Sequence, residues 1–222
     1  MKAEYVDHLG TDLTVVNSAR VSFDKESCWN GFGNLPLKDE KLIRYLANHG
    51  HWTPFSHAMI TVRETVPIFV ARQRFKHMVG FAYNEVSRRY VDDEPEFYVP
   101  EVWRSRPEGS VKQGSGQEEV SMITFPDKFT KNTRWAVKHF NDSAYELYRA
   151  MIESGVAPEQ ARMVLPQSMY TSYYVTGSLA AFARAYRQRI DPHAQVEIQE
   201  LAVQWDEIIR PLFPVSWVAL TE

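Results

Sequence analysis

Apolar positions recur at helical spacing in several stretches of this chain and alternate in shorter ones, the pattern of an α+β protein with helices packed around a small sheet. Residues 11–23, with Leu13, Val15, Val16, Ala19 and Val21, predict a helix leading into Ser22 and Phe23. A second helix over 40–48 carries Leu42, Ile43, Tyr45 and Leu46, with Gly50 placed to end it. The residue before Pro54 is biased away from helix, so residues 51–55 read as a loop. Over 58–66, Ile60, Val62 and Val66 alternate with Thr61, Arg63 and Thr65, which predicts a strand. Pro67 then suits the first position of a helix whose apolar stripe is Ile68, Ala71, Phe75 and Met78.

Residues 104–119 lack periodicity and are rich in turn formers, predicting an exposed, mobile loop. A long helix over 131–154 follows, with Val137, Phe140, Ala144, Leu147, Tyr148 and Met151 on one face and Gly155 at its stop. A short helix at 158–165 holds Arg162, and the aromatic and β-branched run 168–176 predicts a strand. Ser178 suits the cap of a helix running to Arg189. Asp191-Pro192 reads as the start of the last helix, with Ala194, Ile198, Leu201, Trp205 and Ile208 as its apolar stripe. No repeat or low-complexity segment interrupts the chain, and 222 residues suit one domain spanning 1–222.

Composition narrows the functional classes. A formal net charge of −3 argues against a general nucleic-acid binder. No apolar run is long enough to cross a bilayer, and the first residues do not resemble a signal peptide. The single cysteine, Cys28, excludes an internal disulfide and a cysteine-rich zinc site. His49, His51 and His57 lie in a loop without a recognised ligand spacing, so no metal is expected. A cytoplasmic enzyme or binding protein is the expectation that remains.

The densest chemistry lies in residues 72–90. Gln73, Lys76 and His77 share one side of the predicted helix, and Asn84, Glu85, Ser87, Arg88 and Arg89 follow in an alternating polar and aromatic loop. Cationic and amide donors beside a carboxylate and a hydroxyl suit a ligand with a phosphate at one end and a hydrogen-bonding ring at the other. Ser87 lacks the surroundings of a serine nucleophile and suits a phosphate or ribose hydrogen bond.

This segment resembles the signature of the flavin-dependent thymidylate synthase family, Arg-His-Arg followed after seven or eight residues by Ser and then Arg-Tyr. Here the triplet reads Lys76-His77-Met78, eight residues separate it from Ser87, and Arg89-Tyr90 closes it. Residues 18–23, 49–55, 161–166 and 189–199 look like four further family motifs in the family's order. Met78 stands where the family has an arginine, Lys76 keeps the charge of another but not its planar fork, and residues 177–180 depart from the usual Asn-x-Arg.

The resemblance implies an α+β homotetramer that converts dUMP to dTMP with bound FAD, using methylenetetrahydrofolate and NADPH as co-substrates. It implies dUMP contacts from Gln73, Arg74, Phe75, Lys76, Glu85, Val86, Ser87, Arg88, Arg89, Arg162 and Arg189. FAD contacts would come from Ser22, His51, Thr53, Lys76, His77, Met78, Asn84, Glu85, Ser178, Arg184 and His193. Arg189 is the implied catalytic group, stabilising charge on the uracil ring. His193, expected in the first turn of a helix, would be biased towards neutrality by the helix dipole. Cys28 lies outside every motif, in keeping with redox chemistry carried by a flavin. Two other classes compete: a non-catalytic nucleotide- or flavin-binding protein, suggested by Met78, and an RNA-binding module, opposed by the acidic balance.

Overall fold

A computed structural model of the protein describes residues 1–91, 93–109 and 114–222. In chain order the elements are β1 (Lys2–Leu9), α1 (Asp12–Arg20), α2 (Leu37–Asn48), β2 (Met59–Pro67), α3 (Ile68–Arg74), β3 (Phe81–Glu85), β4 (Met122–Thr124), β5 (Thr130–Asn132), α4 (Thr133–Glu153), α5 (Pro158–Ala161), β6 (Tyr170–Ser178), α6 (Leu179–Arg189), α7 (Val196–Ile209) and α8 (Pro214–Thr221). One four-stranded sheet has the order β1-β2-β6-β3, and β4 pairs antiparallel with β5 in a separate ribbon. The mixed architecture expected from the periodicity is present.

The chain divides into two compact units. The first consists of Met1–Glu64, Arg74–Asn84 and Tyr173–Glu222. Its core gathers Val15, Val16, Ile43, Leu46, Phe55, Ile60, Val62, Phe182, Leu201, Trp205 and Trp217, all buried. Helix α8, absent from the sequence reading, is anchored by Asp12, whose carboxylate accepts from the backbone N–H groups of Val215 and Ser216 at 2.9 Å each. The second unit consists of Thr65–Gln73 and Glu85–Ser172 and buries Val66, Val70, Ala71, Ala144, Tyr148 and Met169.

Four expectations need correction. Helix α3 ends at Arg74, so Phe75 to Met78 form no helical stripe, and Gln73, Lys76 and His77 do not share a helix face. Residues 81–85, read as loop, are strand β3. In α4 the predicted apolar face is only partly inward: Ala144 and Tyr148 are buried, whereas Phe140 and Leu147 are 60% and 52% exposed. The last long helix begins at Val196; Asp191 instead closes a turn, its carboxylate accepting from the His193 N–H at 2.7 Å and its carbonyl from Ala194 N–H at 2.8 Å.

The ends of the predicted mobile loop are tied together, with the Ser105 N–H donating to Glu118 O at 2.7 Å and Val120 N–H to Trp103 O at 2.7 Å. Its centre, 110–113, lies outside the described residues.

Candidate active site

Strand β2 alternates burial, with Ile60, Val62 and Glu64 buried in the first unit. Glu64 therefore brings a carboxylate into an apolar register. It survives there because partners surround it. Arg74 Nε lies 3.2 Å from each of its oxygens, Tyr173 Oη donates to Oε2 at 2.6 Å, and Trp205 Nε1 donates to Oε1 at 2.9 Å. The Arg74 guanidinium is 0% exposed and lies over Phe81 and Trp205 at 4.4 and 4.6 Å from the ring centroids. A buried ion pair of this kind persists only when its remaining valences are satisfied or stacked. Burial, followed by the neighbouring Glu64 charge, pushes the Tyr173 phenol far above its ordinary value, so it stays a donor.

Beyond Arg74 the chain leaves helix and carries Phe75 to Gly80 to the start of β3. Phe75 is half-buried and packs edge-on against Tyr83 and Tyr173, at 4.9 and 4.8 Å. Lys76 is exposed, and Met78 is 73% exposed, off any helix and outside the core. His77 is 7% exposed and accepts through Nε2 from Arg189 Nε at 2.8 Å. Burial, then the cations Arg189, Arg74 and Arg184, lowers the His77 pKa to about 4, so the ring is neutral and can accept that bond. Arg189 ends α6 half-buried, its pKa lowered by burial and by Arg74.

A cavity of about 370 Å³ opens in the same unit. Its lining includes His51, Trp52, Phe55, Val79, Arg184 and Arg187. Mostly apolar walls with a few converging cations and rings are the usual character of a cofactor site, and the size suits part of a dinucleotide. Of the residues the resemblance assigns to FAD, His51 and Arg184 meet here; Ser22 and Thr53 are exposed in nearby-sequence turns, and Asn84 is exposed on β3. Arg184 also donates to the Val79 carbonyl. Two assigned residues are differently employed. Ser178 is buried and caps α6, its hydroxyl accepting from Ala181 N–H at 3.2 Å. His193 is exposed in the turn before α7 rather than in the helix's first turn, with Nδ1 3.0 Å from Asp191 Oδ1. His49 is a local contact, its Nδ1 2.8 Å from the Tyr45 carbonyl.

The second unit has its own cavity, about 650 Å³, lined in part by Glu85, Val86, Arg88 and Arg162. All four belong to the implied nucleotide set. Glu85 accepts from Thr171 Oγ1 at 2.7 Å, and Val86 N–H donates to Ser172 O at 2.9 Å, which fixes the segment leaving β3. Arg162 is exposed in a 3-10 turn after α5. Arg88 donates to the Asp93 carbonyl, Ser87 Oγ lies 3.4 Å from Arg89 Nε, and the Arg89 guanidinium sits 5.0 Å over Tyr90. Gln73 is half-buried at the end of α3. Arg74 is the correction in this set: sealed in the core of the first unit, it has no surface to offer a nucleotide.

The sequence reading passed over Glu64, Tyr83 and Tyr173, and took Trp205 only as part of an apolar stripe. The signal was present, since Glu64 occupies the inward parity of an alternating strand, between Val62 and Val66, where an unpaired carboxylate would be prohibitive.

Comparison with known proteins decides the family. The model for the thymidylate synthase complementing protein family matches residues 4–215. The chain belongs to the flavin-dependent thymidylate synthases. It is 36% identical to the flavin-dependent thymidylate synthase of Thermosipho africanus, over 96% of this chain and 88% of that one. It is 37% identical to that of Thermotoga neapolitana, over 97% of this chain and 88% of the other. Among solved structures it resembles a UMP/dUMP methylase, PolB of Streptomyces cacaoi, bound with 5-Br dUMP, with a TM-score of 0.80 and 31% identity, covering 99% of this chain and 94% of PolB. The cavity of the first unit gathers His51, Arg184 and Arg187, whereas that of the second sets Arg88 and Arg162 among Glu85, Asp93, Glu94 and Glu96. Among the described residues, no helix is long and apolar enough to cross a membrane.

Proposed function

We propose that the protein is a cytoplasmic, homotetrameric enzyme that methylates dUMP reductively to dTMP, with methylenetetrahydrofolate as carbon donor, FAD as bound cofactor and NADPH as reductant. The observation that carries the reading is Arg189: a half-buried guanidinium, oriented by a neutral imidazole, in a chain of this family. A methylene unit must gain two electrons to become a methyl group, and a flavin supplies that redox chemistry when bound. His51, Arg184 and the rest of the cavity in the first unit suit the anionic and aromatic parts of FAD. Arg162, Arg88, Glu85 and Val86 suit the nucleotide, with Gln73, Lys76, Ser87 and Arg89 assigned by the family motif.

In this reading the uracil edge is assigned to Arg189 by the family motif. An anionic ring, with charge shared over N3 and O2, is the more nucleophilic form at C5, and a cation already in place stabilises that form without reorganisation. The test is an anaerobic mixture of protein, dUMP, methylenetetrahydrofolate, FAD and NADPH, assayed for dTMP. Arg189→Ala should oxidise NADPH as before while dTMP formation falls roughly a hundredfold, the scale of one lost charge-stabilising donor. Unchanged dTMP formation removes Arg189 from the mechanism, and a wild-type protein that makes none refutes the reading.

The likeness to PolB favours a second nucleotide. That protein is described as a UMP/dUMP methylase, so UMP is the competing substrate. Parallel assays with dUMP and UMP separate the two, because a site that excludes the 2′-hydroxyl turns over only the deoxynucleotide.

A further inference from the structure

Tyr83 lies on β3 with its hydroxyl among three backbone and side-chain groups. Arg74 Nη1 donates to it at 2.7 Å, the His77 carbonyl lies at 2.7 Å and the Arg74 carbonyl at 3.2 Å. A phenol has one proton to give, and the nearer carbonyl, that of His77, is the better acceptor. The His77 N–H donates to the Arg74 carbonyl at 3.1 Å, so the turn from 74 to 77 is closed from within and held from without. At the far end of this chain of bonds, Arg74 is fixed by Glu64, itself held by Tyr173 and Trp205. At the near end the His77 ring accepts from Arg189. Residues 75–80 belong to neither helix nor strand, so these hydrogen bonds are what set the place of His77.

We infer that Tyr83 is a positioning residue for Arg189: its hydroxyl carries the rigidity of the buried Glu64–Arg74 pair to the His77 carbonyl, and the His77 ring then orients the guanidinium. The inference rests on the role given to Arg189 above. Each link has its required protonation state. Burial, partly offset by Arg74, pushes the Tyr83 phenol up to about 12, so it remains a donor. Burial, and then the three arginines around His77, keep its ring an acceptor. With Nε engaged, Arg189 presents its two Nη groups, the fork that matches a ring edge.

Tyr83→Phe tests this, since it removes one oxygen and keeps the ring packing on Phe75, Phe81 and Tyr173. The expected result is a folded protein whose kcat for dTMP falls ten- to a hundredfold, with KM for dUMP changed less than about threefold, the scale of a misplaced catalytic group. The ¹⁵N resonances of the His77 ring should shift in the direction seen in Arg189→Ala. Thr61→Val is the control, because the Thr61–Thr176 hydroxyl contact of 2.9 Å lies in the same unit but outside the relay. It should lower the melting temperature without changing kcat or the His77 spectrum. A Tyr83→Phe protein that behaves like Thr61→Val overturns the inference. In the unaltered protein, the Tyr83 hydroxyl proton should exchange slowly and show a nuclear Overhauser contact to the Arg74 guanidinium; fast exchange overturns the inference whether or not the variant folds. The NMR measurements do not depend on turnover, so they stand even if wild-type protein makes no dTMP.

Discussion

Glu64 and Arg74 are the residues on which most else depends. Glu64→Gln leaves a guanidinium sealed from water with no counter-charge, and the expected loss is about 3–5 kcal/mol, read by urea denaturation. Glu64→Gln with Arg74→Met should recover part of that loss, because the amide oxygen can still accept from Trp205 and the amide NH2 can donate to the Tyr173 hydroxyl oxygen, while the stranded cation is gone. His77 supplies a pH dependence. Its ordinary pKa of 6.5 falls to about 4 in the folded protein, through burial first and then Arg189, Arg74 and Arg184. Between those values the unfolded chain binds a proton that the folded ring refuses. Stability from this group is therefore full above about pH 6.5 and is lost as pH falls towards 4. Melting temperature against pH should show a shallower acid slope in His77→Gln than in wild type; parallel slopes would contradict the shift. Both features were hard to read from sequence. The motif pointed to His77 and Arg189, but their contact joins positions 112 residues apart, and the resemblance assigns Arg74 to the nucleotide rather than to the core.

At the scale of elements, long amphipathic segments were legible and short or two-faced ones were not. Helix α6, capped by Ser178, lies where periodicity put it. Strand β1 was invisible because Lys2, Glu4, Asp7 and His8 break any apolar face, and its residues are largely exposed. Strand β3 was misread although Phe81 and Tyr83 alternate with Ala82 and Asn84, since five residues seldom outweigh a loop-like composition. Asp191-Pro192 carried a start signal for a helix but is used for a side-chain turn, the alternative open to any Asp. The cap at Ser178 also distinguishes two roles for that residue. Ser178→Ala should cost about 1 kcal/mol through the freed Ala181 N–H and leave FAD affinity unchanged. Calorimetric titration with FAD checks this, and a large loss of affinity at unchanged stability would restore the ligand contact.

The whole molecule is assembled from interleaved chain segments, with the divisions between its two units falling inside β2, α3, β3 and β6. Local periodicity carries no record of such pairings, so the strand order β1-β2-β6-β3 was beyond the sequence pattern, whereas the candidate site residues are assigned by the ordered family motifs. The Trp205 bond to Glu64 spans 141 residues, and the Ala3 N–H donates to Gln204 across 201. During synthesis, then, the first unit has its charged pair in hand long before the indole that completes it. Closure waits for α7 to leave the ribosome, and until then a carboxylate and a guanidinium sit in an open apolar cleft. Nascent chains arrested before residue 195 should be cut readily by protease within 1–64, and release of the full chain should confer resistance. Protection that appears before α7 emerges would mean that the pair can close without its last donor.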